Sequence, residues 1–322
     1  MSLARPLIPL AIAAASLIAT QACAQGYPAR PVRIIVPYAV GTATDAAARM
    51  LAQRLAVVWG KGVTVDAVPG AGGAVGTQVL FKSAGDGYTL GVIAGAHAIN
   101  AALYKNLPYD SLKDFKPVMN LAYTPLLIVT NPALPPRTIA ELIAYAKASG
   151  KPLNYGSGGT GSAPHLGMEY FVQMAGVRFT HAPYKNLGQM GTDLMSGQID
   201  LTMVAPTTFL GNIRTGKLRA LGITSAARSP LLPDVPPVSD SVPGYDVRVW
   251  IGLIAPNGTP EDVIARVTTD VSAIMRSDDM AKALQQQGIE PDPMPAGPFW
   301  QQVTAEVARW TKIVKDAGVT PE

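Results

Sequence analysis

The sequence is poor in the side chains that carry most metal and nucleophilic chemistry. Its 322 residues hold one cysteine, Cys23, and three histidines, His97, His165 and His181. No H-x-x-x-H or H-E-x-x-H spacing joins those histidines, so neither a metal nor another cofactor is expected. A single cysteine builds no disulfide framework. Charge is sparse as well, 15% of residues with a net +4, and Lys and Arg are scattered rather than gathered into a stripe, which speaks against a nucleic-acid partner. What is abundant is apolar: 48% of the chain, enough to fill a core, over a length that favours two domains.

Residues 1–24 stand apart. Arg5 precedes an apolar run from Leu7 to Ala19, and small Ala22 and Ala24 flank Cys23. The run is too short to span a bilayer and reads as a secretory signal peptide cut after Ala24, which would remove the only cysteine and leave an exported, soluble chain. An acylated Cys23 is the alternative. Ala22 fits it, but Thr20 stands where a leucine is usual.

Beyond the leader, β-branched runs alternate with helical patterns, predicting an α/β fold with largely parallel sheets. "PVRIIVPY", "DAAARMLAQRLAVVWG", "GVTVDAVPG", "AVGTQVLFKSAG" and "GYTLGVIAG" make a βαβαβ half. A second half starts at "PLNYGSGGTGSAPHLGMEYFVQMAG". The extended runs "LAYTPLLIVTNP" and "YDVRVWIGLIAP" flank that half, as expected of two hinge strands that cross between lobes and return. The boundaries expected are 25–123 with 248–322 for lobe 1 and 124–247 for lobe 2. The amphipathic helices "EDVIARVTTDVSAIM" and "FWQQVTAEVARWTKIVKDAG" are expected to pack back on lobe 1.

Two turns carry the functional reading. After the strand ending near Tyr38, "AVGTA" leads into a helix starting around Thr44-Asp45. Open α/β sheets bind ligands at the carboxyl ends of their strands, and the unpaired N–H groups of a helix start favour an anion. Gly41, Thr42 and Ala43 allow close approach, Thr42 and Thr44 add hydroxyls, and Asp45 caps the helix or ties the loop. "GSGGTGS" repeats the device with more donors, Ser157, Gly158, Gly159, Thr160, Gly161 and Ser162. Gly156, Gly158 and Gly161 also satisfy G-x-G-x-x-G, but the next strand offers His181 and Lys185 where a dinucleotide site needs an acid. No glycine cluster is followed by G-K-[ST], and "GSGGTGS" is not the G-x-S-x-G elbow of a serine hydrolase. An enzyme is not expected. His97 at a strand end and His165 one turn into a helix are each read either as hydrogen-bond donors to a carboxylate or as structural residues.

With those residues in hand, the chain resembles the Bug-type periplasmic solute receptors of tripartite tricarboxylate transporters. The resemblance runs from Tyr27 nearly to Gly318 and is carried by "YPARPVRIIVPY", "PGAGG", "DGYTL", "LPYDSLKDFKPV", "LNYGSGGTGSAPHL", "PYK", "TDLMSGQIDL" and "GKLRALGITSAARSPLLPDVPPV". It implies a type II periplasmic binding protein fold, two α/β lobes joined by two hinge strands and closing on a small carboxylate for delivery to a membrane permease. The implied ligand contacts are Gly41 to Asp45 and Gly158 to Ser162, with His97 facing the cleft and His165, Tyr184 and Asp193 near it. Tyr38, Val40, Ala96, Val204 and Ala205 complete the candidate wall. One cleft per chain requires no second copy, so a monomer in the periplasm is expected.

The departures from the family pattern bear on the ligand. Pro-Pro-Gly-Gly-Gly is common where Ala39-Val40-Gly41-Thr42-Ala43 stands here, which adds a methyl-bearing wall. Ala67-Val68 replaces a frequent Asn-Arg, Val204 stands where many members have an acid, and "PYKGG" has become "PYKNL" with Asn186 and Leu187. Without that acid a ligand ammonium has no counter-charge, which argues against an amino acid. An aromatic or medium-chain dicarboxylate is the expectation, with a citrate-like polyacid or a receptor for a membrane signalling partner as alternatives.

Overall fold

The computed structural model describes residues 26–319. The expected signal peptide, Cys23 included, lies outside them. The first half builds β1 (Val32–Val36), α1 (Ala43–Trp59), β2 (Val63–Ala67), α2 (Ala74–Phe81), β3 (Thr89–Ala94) and α3 (Ala96–Leu103). α1 starts because the Thr42 side chain accepts the Asp45 N–H, and it stops at Gly60, whose φ of 60° is left-handed. β4 (Phe115–Pro125) leads on to β5 (Leu127–Thr130), α4 (Ile139–Ala148), β6 (Leu153–Ser157) and α5 (Ala163–Ala175). β7 (Phe179–Pro183), α6 (Leu187–Ser196), β8 (Leu201–Val204), α7 (Leu210–Arg214) and β9 (Arg219–Ile223) complete the second half. The chain returns through β10 (Arg248–Pro256), α8 (Glu261–Met275), α9 (Asp278–Gln286), β11 (Glu290–Pro295) and α10 (Ala296–Asp316).

Two sheets result, ordered β11-β4-β10-β3-β1-β2 and β7-β6-β8-β5-β9. Each mixes directions, which corrects the expectation of largely parallel sheets. β1 pairs parallel with β2 and β3, and β6 with β7 and β8. The strands that carry the chain between halves run the other way: β10 is antiparallel to β3 and β4, and β5 to β8 and β9. A returning strand enters its sheet from the opposite end, so antiparallel pairing follows from the double crossing.

Side chains of β1 divide by the strand period of two. Ile34 and Val36 join the cluster of Leu51, Leu55, Val267 and Val271 under α1 and α8, whereas Ile35 faces Leu80, Ile99 and Phe299 on the other side. Each such side chain removed from water contributes about 1.5–3 kcal/mol. This second cluster runs on through Leu126 and Trp250 to Leu166 and Phe171 on α5, so the core is continuous across the crossing strands. Leu126 alone separates β4 from β5. Thr224, just past β9, holds both crossings: its N–H reaches Leu126 O at 2.9 Å, its Oγ1 takes the Leu126 N–H at 2.8 Å and donates to Val247 O at 2.6 Å. The strand order leaves the carboxyl ends of β1, β2 and β3, and those of β6, β7 and β8, free to present the two turns.

Candidate functional site

In the first turn one carboxylate organises the backbone. Asp45 is 2% exposed; its Oδ2 takes the Gly41 N–H at 3.0 Å and Arg49 Nε at 3.0 Å, while Arg49 Nη2 lies 2.9 Å from Oδ1. Burial on its own raises this carboxyl, but the Arg49 guanidinium and the Gly41 amide outweigh it and hold Asp45 below the usual carboxylate value. The cation one turn along α1 thus offsets a charge that would repel an anion. Thr42, not Asp45, is the cap: its Oγ1 accepts the Asp45 N–H and donates to Ala39 O. The Thr42 N–H also goes to Ala39 O, at 3.3 Å. Among the described residues no protein acceptor takes the N–H of Ala43 or Thr44. Those two amides open the positive end of a 17-residue helix.

In the second turn the organisers carry no charge. The Gly159 N–H goes to Ser157 Oγ at 3.3 Å, the Gly161 N–H to His165 Nδ1 at 2.9 Å and the Ser162 N–H to Gly159 O at 3.2 Å. Ser162 caps α5 by accepting the His165 N–H. The N–H groups of Gly158, Thr160 and Ala163 take no protein acceptor among the described residues. His165 Nδ1 accepts, so its neutral ring carries the proton on Nε2. Burial, and then the neighbouring His181, push its pKa down to about 4, and burial does the same to His181. Gly161 has φ 76°, and a Cβ there would come within 2.4 Å of Leu103 Cδ1 at the end of α3. No residue but glycine meets both conditions.

The remaining expected residues divide. His97 takes the structural one of its two readings: its ring is 1% exposed, stacked on Tyr109 and edge-on to Phe115, with Nε2 2.8 Å from Ser111 O. The nitrogen facing that carbonyl carries the proton, which leaves Nδ1 with a lone pair and no hydrogen for a carboxylate; burial lowers its pKa to about 4. Val204 is the last residue of β8, its side chain buried beside Leu127, Met190 and Phe209, and half-buried Ala205 follows it. The Tyr38 hydroxyl accepts the Ala94 N–H at 3.1 Å and donates to Ala94 O at 3.4 Å, tying the end of β1 to that of β3. Tyr184 donates to Asp193 Oδ2 at 2.9 Å and Gln189 Nε2 to Oδ1 at 2.7 Å, so that pair is braced internally. Ala96 begins α3 and is half-buried beside His97. Val40 stands out at 70% exposed, and Leu187, 44% exposed, reaches over Gly158.

His181 and Leu103 were not foreseen as part of the second turn, and Ser157, expected there as a donor, instead organises the turn's own backbone. Ser157 Oγ meets His181 Nε2 at 2.7 Å, 24 positions away, and only the placing of β7 beside β6 brings them together. Among the described residues no group of three or more His, Cys, Asp or Glu side chains is arranged to hold a metal ion. What the site offers is a set of amides without protein acceptors among the described residues, in two turns that each lead into a helix.

Two α/β halves, linked by crossing strands and presenting such helix starts at strand ends, define a two-lobed solute-binding protein of the type II periplasmic fold. A family model described as the tripartite tricarboxylate transporter family receptor matches residues 47–319. The chain belongs to that family. Protein BugT of Bordetella pertussis is 34% identical over 304 residues, 94% of this chain and 93% of BugT. A Rhodopseudomonas palustris protein solved with adipate is 35% identical with a TM-score of 0.78, covering 92% of this chain and 100% of that one. MatC from the same organism, solved with bound malate, is 30% identical with a TM-score of 0.72 and coverage of 89% and 100%.

Proposed function

We propose that the protein captures a small carboxylate between two lobes and delivers it to the membrane permease of a tripartite tricarboxylate transporter. One lobe comprises residues 26–123 and 248–319, the other 124–247, and the ligand favours their closed arrangement. Capture takes place in the periplasm, with the leader removed, by a single copy of the chain. The carboxylate is held by the amides of Ala43 and Thr44 on one side and of Gly158, Thr160 and Ala163 on the other, with the Thr160 hydroxyl and His165 Nε2 as further donors. That these amides have no protein acceptor, while their neighbours in the same turns do, is the observation that carries the reading.

The ligand is a dicarboxylate with an apolar body, medium-chain or aromatic. Val40 and Leu187 put apolar surface beside the two turns, and of the nearby acids Asp45 is neutralised by Arg49 while Asp193 has both oxygens engaged by the neutral donors Tyr184 and Gln189. The relatives solved with adipate and malate both hold dicarboxylates, and adipate has the apolar methylene body of the reading. A thermal-shift panel followed by calorimetry tests this, because a ligand that binds only the folded state raises its melting temperature. Adipate, pimelate and phthalate are expected to shift it more than citrate, and aspartate and glutamate to leave it unchanged. A shift with the amino acids alone would overturn the assignment.

A further inference from the structure

His181 lies on β7, outside both turns, yet it touches each end of the second one. Its Nε2 is 2.7 Å from Ser157 Oγ. That hydroxyl accepts the Gly159 N–H at 3.3 Å and lies 3.2 Å from Gly159 O. Ser157 has one hydrogen to give, and a carbonyl can only accept. All three contacts are satisfied together when the hydroxyl donates to Gly159 O and His181 Nε2–H donates to the hydroxyl. The face of the same ring stacks on His165, 3.9 Å between centroids and 16° between planes, and His165 Nδ1 holds the Gly161 N–H. Tyr155 backs the pair, 5.0 Å from His181 and 6.4 Å from His165, with its phenol donating to Glu169.

We propose that His181 is the positioning residue of the second anion turn: by its bond to Ser157 and its stack on His165 it fixes the Gly159 and Gly161 amides inward and so leaves those of Gly158 and Thr160 for the ligand. The importance of that geometry for affinity rests on the carboxylate reading above. A flat ring with one donor nitrogen performs both tasks at once. Lysine or arginine has no equivalent, since either would add a permanent charge beside His165, and phenylalanine supplies the stack without the hydrogen bond. The neutral state of both rings suits a close stack, since two facing imidazolium ions would repel.

The test compares the full mature chain carrying His181→Ala, His181→Phe or His181→Gln with wild type and with Phe179→Leu, at a half-buried residue on the same strand whose ring packs on Tyr155 and Phe171. Two quantities are read: amide hydrogen exchange at Gly159 and Gly161 without ligand, and calorimetric affinity for adipate. The alanine variant is expected to speed exchange at both glycines tenfold or more and to weaken adipate at least tenfold. His181→Phe should free Gly159 more than Gly161, and His181→Gln should restore protection at Gly159 because its amide reaches Ser157. Phe179→Leu should lower the melting temperature while leaving both exchange rates near wild type. Unchanged exchange at Gly159 and Gly161 in all three His181 variants would overturn the proposal, as would equal acceleration in Phe179→Leu. Should His181→Ala fail to fold, the phenylalanine and glutamine variants decide. If wild type protects both amides but binds no carboxylate, the functional reading fails while the positioning role is still judged by exchange alone.

Discussion

The two turns solve one problem with different chemistry. Each must hold some of its own amides inward so that others face outward, and each opens a helix. In the first, a buried carboxylate gathers the Gly41 amide and is neutralised by Arg49 from its own helix. In the second, a hydroxyl and a neutral imidazole do the gathering. An acid beside an anion site is tolerable only with a cation attached to it, whereas neutral acceptors need no such escort. The difference also sets how each turn responds to strain, acid and salt.

Placing an alanine in each turn breaks the comparison most sharply. Gly161→Ala meets a left-handed backbone and the Leu103 side chain together, so strain of about 1–2 kcal/mol is joined by a clash, and adipate binding should fall a hundredfold or more by calorimetry. Gly41→Ala has φ 85° but open space around the new methyl, so only the strain of about 1–2 kcal/mol applies and about a tenfold loss is expected.

Acid is next. The unfolded chain takes up imidazole protons near pH 6.5, but the folded His165, His181 and His97 only near 4. Between those values the unfolded state binds more protons, so stability falls as the pH drops from 6.5 to 4. Asp45 has a folded pKa below its ordinary value near 3.8, so its contribution is present above that value and is lost only as the pH falls through the lower folded one. Hydrogen exchange followed against pH should therefore show Gly161 losing protection before Gly41 does.

Asp45→Asn removes the charged partner of Gly41 and Arg49 and should cost about 1–3 kcal/mol in urea denaturation; Ser157→Ala removes a neutral one and should cost about 0.5–1.5 kcal/mol. Added salt should narrow the first difference and leave the second unchanged, because Arg49 is partly exposed. The smallest effect is expected at the exposed rim: Val40→Ser should weaken a medium-chain dicarboxylate by a few-fold and leave malate nearly untouched, as read in a calorimetric chain-length series.

Much of this architecture was legible in local pattern. β-branched runs, the glycine stops and the two turns fell where expected because each depends on neighbours within a few residues. Which amides each turn keeps for itself was not legible, since the deciding partners are brought in by strand pairing: His181 to Ser157 from 24 positions away, Tyr38 to Ala94 from 56. The burial of the Val204 side chain was not legible either, because one residue separates the end of a buried strand from the loop that follows it. β11 drew no expectation at all: "EPDPMP" reads as a breaker, yet an edge strand tolerates proline, and its pairing with β4 skips between Pro291 and Met294. His97 followed the family pattern in sequence, but its ring is folded into an aromatic nest around Tyr109 and Phe115.

Thr224 carries a mechanical consequence. One buried side chain grips the chain where it leaves the first sheet and where it comes back, so neither passage can slide without dragging the other. Under the closure proposed above, the axle would lie beside Leu126 and Val247, and the gape of the jaws would be set by rotation there rather than by slack in either connector.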